Sequence, residues 1–325
     1  MLGAMGSEER EGLVLRARSS FADVWLAGRG EAVRCHVAGR LKRGRVRRSL
    51  LVAGDRVVVR LGGGAEPLVV RVLPRQRRLA RRQPGAGGQW REDVLVANVD
   101  RLLCVVAHRR PVMEPRLLDR FLLVAELGGI EAVVVANKRD LGPSAEEEDV
   151  LARYEAIGYE VLRTSAETGE GIGRLAERLC AAGPEGAEGI AAVAGASGVG
   201  KSRLLRAVEP SLKLRVGEVS EAVGKGRHTT RVAELHRLGC GAWVADTPGV
   251  RELGAFGAAP AEIALGFREI ARAAPDCAFG DCRHRAEPGC AVRAALEAGR
   301  IHPARYDSYL RLLEEAEQLE RARYR

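Results

Sequence analysis

Apolar and polar residues alternate along the first part of the chain in five short runs: GLVLRA (12–17), ADVWLA (22–27), EAVRCHVAG (31–39), GDRVVVRLGG (54–63) and PLVVRVL (67–73). A period of two marks half-buried strands, and five of them in so short a stretch predict a small β-barrel of the OB type. The segment RRQPGAGGQWRE (81–92) is rich in glycine and polar residues and is expected to be a linker. After it the period changes. Apolar runs such as DRLLCVVAH (100–108), EAVVVANK (131–138) and GIAAVAG (189–195) alternate with helical stretches such as LLDRFLLVAELGG (117–129) and EEEDVLARYEAIG (146–158). Strands that alternate with helices predict βαβ units and a parallel sheet. From about residue 256 the pattern becomes helical, ending in an amphipathic stretch with apolar or aromatic residues at 306, 309, 310, 312 and 313. The expected fold is multidomain: an OB-like barrel (8–80), the linker (81–92), an α/β domain (93–255) and a mainly helical domain (256–325).

Composition narrows the class. The chain has 325 residues, 46% hydrophobic, with no apolar run long enough to span a bilayer and no basic-then-apolar start, so a cytoplasmic protein without membrane contact is expected. Charge is unevenly placed: residues 1–92 carry 20 Lys+Arg against 8 Asp+Glu, and the rest carry 32 against 35. The basic stretches RLKRGRVRR (40–48) and RQRRLARR (75–82) suit a polyanion such as RNA, because each guanidinium offers a planar fork to phosphate. Lysine is scarce, and two of the five, Lys138 and Lys201, lie in the two segments with the clearest chemistry.

The first of these is GASGVGKS, comprising Gly195, Ala196, Ser197, Gly198, Val199, Gly200, Lys201 and Ser202. It follows an apolar strand and opens a helix, the context in which backbone N–H groups and the helix N-terminus cradle phosphates. Lys201 then reaches the β/γ oxygens and Ser202 ligates Mg²⁺. The second segment selects the base. In NKRD, Asn137 and Asp140 follow a strand, and the Asp140 carboxylate can accept both the N1–H and the exocyclic amine of guanine, a donor pair that adenine lacks. The Lys138 stem can cover the base, and the amides of Ser165 and Ala166 in TSA (164–166) can meet the guanine O6. In DTPG (246–249), Asp246 is expected to hold Mg²⁺ through water and the Gly249 amide to meet the γ-phosphate; GRHTT (226–230) contributes a threonine to the metal. GTP/GDP and Mg²⁺ are therefore the expected ligands. The order, base readers before phosphate readers, is that of a circular permutation. Val250 follows DTPG where many GTPases place a water-orienting glutamine, so intrinsic hydrolysis is expected to be slow, with His228 a candidate catalytic group beside Lys201.

Near the C-terminus, Cys277-x4-Cys282-x-His284-x5-Cys290 offers three thiolates and an imidazole, a closed tetrahedral shell for one structural Zn²⁺. The other four cysteines, Cys35, Cys104, Cys180 and Cys240, are expected as buried thiols, with disulfides disfavoured in a reducing compartment.

NKRD, TSA, GASGVGKS, GRHTT and DTPG in this order, with the barrel before them and the Cys/His loop after, resemble the RsgA (YjeQ) family of circularly permuted bacterial GTPases. The resemblance covers about residues 11–320. It implies a cytoplasmic GTPase that binds the 30S ribosomal subunit late in its maturation, contacts 16S rRNA through its barrel and zinc domains, and is stimulated by that subunit. A monomer is expected. The resemblance also places the family's loop histidine on His228 and its Mg²⁺ threonine on Thr230. Two positions depart from the family pattern: Arg231 stands where a third threonine is common, and KSRL replaces KSSL.

Overall fold

The computed structural model describes residues 8–18, 20–39, 51–62, 66–84, 90–181, 183, 188–212, 233–246 and 258–322; the side chains of 81–91 and of Asp246 are not described. Strands β1 (Glu8–Ala17), β2 (Phe21–Leu26), β3 (Glu31–Val37), β4 (Arg56–Leu61) and β5 (Leu68–Val72) close a barrel in the order β1-β2-β3-β5-β4. The alternation read from the sequence is what closes it. Val14, Val24, Leu26, Cys35, Val57, Val59 and Val69 point inward and are buried, and their neighbours face outward.

Both flanks of the stretch 81–92, expected as a linker, are strand. Residues 78–84 and 90–97 form β6 (Arg78–Pro84) and β7 (Trp90–Ala97), an antiparallel pair whose register runs from Arg78 opposite Ala97 to Pro84 opposite Trp90. The cross-strand pairing of the flanking residues outweighs their polar composition. The basic stretch beside it is also partly used within the molecule. Arg75 grips Asp55 with two bonds of 2.6 and 2.9 Å, Arg77 pairs with Asp100 at 2.6 Å, and Arg78 with Glu92 at 2.6 Å. Asp55 is fully buried and also accepts from the Val52 amide, so Arg75 holds the barrel's base together. The stretch 40–48 lies outside the described residues.

The central domain is a six-stranded sheet in the order β10-β9-β8-β11-β13-β12. Its strands are β8 (Arg101–Ala107), β9 (Glu131–Asn137), β10 (Glu160–Arg163), β11 (Ile190–Ala194), β12 (Glu234–Arg237) and β13 (Trp243–Asp246), all parallel except β12. The inner strands β8, β9 and β11 are mainly apolar because both faces of the sheet are covered there, while the edge strands β10 and β12 carry charged residues. Along β8, Leu102, Cys104 and Val106 face α1 (Pro115–Gly128) and α2 (Ala145–Ile157). Leu103, Val105 and Ala107 face α3 (Ile172–Cys180) and α4 (Lys201–Val208). α2 starts with a complete capping box: Ser144 accepts from the Glu147 amide and Glu147 accepts from the Ser144 amide.

Chain order changes direction between β8 and β11. From β8 the chain winds outward through β9 to β10, then returns beside β8 as β11. That is a topological switch point, and ligands of open α/β sheets bind at the carboxyl ends of the strands there.

The barrel rests on the β12 edge, where Trp25 meets Trp243 edge-on at 5.5 Å and Arg237 lies 4.8 Å over the Trp25 ring. The C-terminal part comprises α5 (Pro260–Ile263), α6 (Arg268–Ala273), α7 (Ala291–Glu297) and α8 (Pro303–Ala322) around Phe267, Ile270, Val292, Tyr309 and Leu313. Leu123 of α1 belongs to the same core, so the helical part is packed onto the sheet domain. A buried charged cluster seals the contact. Arg305 bonds Asp119 of α1 at 2.5 Å and Glu269 at 2.6 and 3.1 Å, and Tyr154 donates to Asp119 at 2.6 Å.

Cys35 and Cys104 are buried thiols, as expected, and burial pushes the Cys35 thiol up to about 11. Cys180 and Cys240 are not: they are exposed and joined as a disulfide, with Cα atoms 5.9 Å apart. Sixty residues separate them in sequence, and only the fold brings the end of α3 against the β12–β13 turn.

Candidate nucleotide site and metal centre

The phosphate loop leaves β11 and enters α4 with glycines where the backbone demands them. Gly195 has φ +153° and a Cβ there would lie 2.4 Å from the Val105 carbonyl oxygen; Gly200 has φ +97° and its Cβ would lie 2.4 Å from Asn137 Nδ2. The Lys201 ammonium donates to the carbonyls of Gly195 and Ala196, both at 2.8 Å, and so spans the mouth of the loop.

Asn137, at the end of β9 and 1% exposed, is the hub of the site. Its Nδ2 donates to the Val199 carbonyl in the phosphate loop at 2.8 Å. Its Oδ1 accepts from the Ala166 amide at 3.3 Å and from Thr164 Oγ1 at 3.4 Å. One amide therefore fastens the three elements that the sequence placed at 137–140, 164–166 and 195–202. Lys138 takes a left-handed backbone (φ +65°), which turns its side chain across the site to donate to the Arg110 carbonyl. Asp140 is exposed at the rim, and Ser165 donates to its Oδ1 at 2.5 Å. That hydroxyl in turn accepts from the amides of Glu167 at 3.2 Å and Thr168 at 3.1 Å, which shapes the TSA turn around the carboxylate.

The loop from β8 to α1 is a wall of the site that sequence reasoning missed. The His108 amide donates to the Asn137 carbonyl at 3.2 Å, and Pro111 approaches Gly198. No motif signals this; the switch point puts it there. His108 is fully buried with neither ring nitrogen paired among the described residues, and burial holds its pKa below the usual 6.5.

Asp246 ends β13, beside β11 and on the same side of the sheet as the phosphate loop. His228, Thr230, Gly249, Val250 and Arg231 lie outside the described residues.

Cys277, Cys282, His284 and Cys290 converge, with all ligand atoms within 4.8 Å of one another. His284 Nδ1 is 3.6 Å from the sulfurs of Cys277 and Cys290, which are 3.9 Å apart. Zn–S bonds of about 2.3 Å and Zn–N bonds of about 2.0 Å give tetrahedral edges of roughly 3.5–3.8 Å, so the four groups fit zinc with no position left open. The knuckle is braced from outside: Tyr306 donates to the His284 carbonyl, Tyr309 to the Arg283 carbonyl at 2.9 Å, and Glu287 accepts the amides of Arg283, Arg285 and Ala286.

Comparison with known proteins agrees with this geometry. The family model described as RsgA GTPase matches residues 72–256. A protein named small ribosomal subunit biogenesis GTPase RsgA from Gemmatimonas aurantiaca is 42% identical over 306 residues, 94% of this chain and 96% of its own. The protein of the same name from Moorella thermoacetica is 40% identical over 96% and 99% of the two chains. The crystal structure of YjeQ from Thermotoga maritima superposes with a TM-score of 0.76 at 32% identity, covering 95% of this chain and 99% of that one. YloQ, described as a circularly permuted GTPase, gives 0.73 at 26% identity over 98% of both chains. The NKRD, TSA and GASGVGKS segments thus meet at one end of the sheet in permuted order, and the chain belongs to the RsgA GTPase family of GTP-hydrolysing enzymes.

Proposed function

We propose that this GTPase acts in the late maturation of the small ribosomal subunit, where it binds the 30S particle, touches 16S rRNA through its barrel (8–80) and zinc-bearing helical part (256–325), and hydrolyses GTP faster when docked. The observation that carries the nucleotide assignment is Asn137, whose amide holds the NKRD, TSA and phosphate-loop elements in one constellation. The names of the relatives from Gemmatimonas and Moorella support the ribosomal role. In this reading Asp140 accepts from guanine N1–H and its amine, Ser165 and Ala166 flank O6, and Lys138 covers the base. Gly195 through Gly200 wrap the phosphates with their amides, and Lys201 turns from its loop carbonyls to the β/γ oxygens.

Ser202 and Thr230, with Asp246 through water, are the proposed Mg²⁺ ligands, and Gly249 meets the γ-phosphate. Mg²⁺ held by these residues would supply positive charge to offset the negative charge that builds during γ-phosphate transfer. Val250 cannot orient water, so His228 is proposed to swing in on docking. Because the chain leaves the sheet domain after DTPG, the γ-phosphate sensor runs directly into the helical part. The protein works as a cytoplasmic monomer. Co-sedimentation with purified 30S subunits tests the partner: retention with a non-hydrolysable GTP analogue and release with GDP support the reading, while equal retention in both states contradicts it. Loss of subunit-stimulated turnover in His228→Ala, with GTP affinity kept, tests the histidine.

A further inference from the structure

The disulfide sits at a junction. Cys180 is the last residue of α3, the helix that follows the TSA turn, and Cys240 lies in the turn between β12 and β13. The same turn is tied to the end of α4, because Glu209 accepts from the Gly239 amide at 2.9 Å. It is tied also to the entry of β11, since Glu188 bonds Arg237 at 2.8 Å and Trp243 Nε1 at 2.9 Å. Leu175 and Leu179 of α3 share one core with Leu204 and Leu205 of α4 and Leu238 of the turn. Between the two cysteines in sequence lie β11, the whole phosphate loop and α4. In this permuted chain the base-reading half passes to the phosphate-reading half through residues 181–189, and the disulfide is a second covalent link between the halves. Both cysteines are exposed, so a soluble thiol can reach the bond.

We propose that Cys180 and Cys240 form a reversible dithiol–disulfide site that clamps α3 against the far end of α4 and so slows nucleotide release; the inference rests on the nucleotide site described above. Oxidised, the clamp limits motion of α3 relative to the helix that starts at Lys201, and keeps the Asn137 bonds to Val199 and Ala166 in register. Reduction by a dithiol proceeds through a mixed disulfide. The incoming thiolate attacks one sulfur, and the other cysteine leaves as a thiolate and takes a proton. The second thiol of the reductant then displaces the first cysteine, giving two protein thiols and one disulfide of the reductant, a two-electron exchange.

The test uses the full-length, zinc-loaded protein, first treated with oxidised glutathione, then with and without a dithiol reductant. Alkylation mapped by mass spectrometry reports the state of Cys180 and Cys240, and release of a fluorescent GDP analogue reports the site. The expected result is alkylation at both cysteines only after reduction, with release roughly fivefold faster or more and a thermal midpoint lower by about 10 °C. A Cys180→Ser/Cys240→Ser double variant should behave as the reduced protein under either treatment. Alkylation of both cysteines before reduction overturns the proposal. So does an unchanged release rate on reduction, or an equal response in the double variant, which would trace the effect to the zinc thiols. Failure of every form to bind the GDP analogue would instead overturn the nucleotide assignment.

Discussion

Replacing Asn137 with alanine tests whether one buried amide assembles the nucleotide site. The side chain is 1% exposed and its partner Val199 is buried, so the Val199 carbonyl cannot turn to water when the amide is lost. Truncation orphans the Val199 carbonyl, which now accepts at 2.8 Å, and the Ala166 amide, which now donates at 3.3 Å. An orphaned buried group costs about 1–3 kcal/mol and the half-buried Ala166 amide less, so the pair is worth roughly 2–4 kcal/mol. Part of this loss appears as a lower unfolding midpoint. The rest appears as affinity, because a phosphate loop and a TSA turn no longer held together are binding-competent for only a fraction of the time, and apparent affinity falls by that fraction. If half of the loss is expressed there, GDP binds about 5- to 30-fold more weakly, at 1.4 kcal/mol per decade. Titration calorimetry with GDP, alongside denaturant unfolding, measures both shares. Asn137→Asp keeps the acceptor for Ala166 but sets a carboxylate oxygen against the Val199 carbonyl, so it should be no better than alanine. If Asn137→Ala bound GDP within twofold of the parent and unfolded at the same denaturant concentration, the hub reading would be wrong.

Other consequences are direct. Asp140→Asn removes the proposed double acceptor for guanine and should weaken GTP by about 100-fold while improving binding of the xanthine nucleotide, whose 2-oxo group accepts from the new amide; competition binding checks this. Arg305→Met leaves Asp119 and Glu269 buried without their cation and should cost about 3–5 kcal/mol in denaturant unfolding. His108 is held neutral by burial, so its folded pKa lies below 6.5 and the unfolded chain binds its proton first. Stability from this residue is complete above pH 6.5 and declines as pH falls below it, and His108→Leu should flatten that part of the stability–pH curve. Removal of zinc by a chelator should leave GDP binding in place but loosen the core around Phe267 and Tyr309, seen as faster amide exchange in α7 and α8.

The strand pattern made most of the architecture legible, because barrel strands alternate and the inner sheet strands β8, β9 and β11 are mainly apolar. The candidate nucleotide residues were legible for a different reason: phosphate and guanine recognition calls for particular residue types at fixed spacing, and 195–202, 137–140 and 164–166 match that pattern. What the sequence hid depends on distant pairing. The flanks of the 81–92 stretch looked like linker because glycine and polar residues dominate its composition, and only the β6–β7 register reveals the strands. β12, four residues long at a sheet edge, has no periodicity to read. Cys180 and Cys240 carry no spacing signal, since their approach depends on how α3 packs beside α4. Likewise the arginines at 75–78 read as a free polyanion surface until their carboxylate partners, from 55 to 100 in sequence, fold against them.

GTP turnover by the purified protein, alone and with 30S subunits over a salt series, tests the central claim most directly. The account predicts slow turnover alone and a large stimulation by the subunit that fades as salt screens the contact with rRNA. Turnover that is equally slow with and without 30S subunits at every salt concentration, in protein that binds GTP tightly, would contradict it.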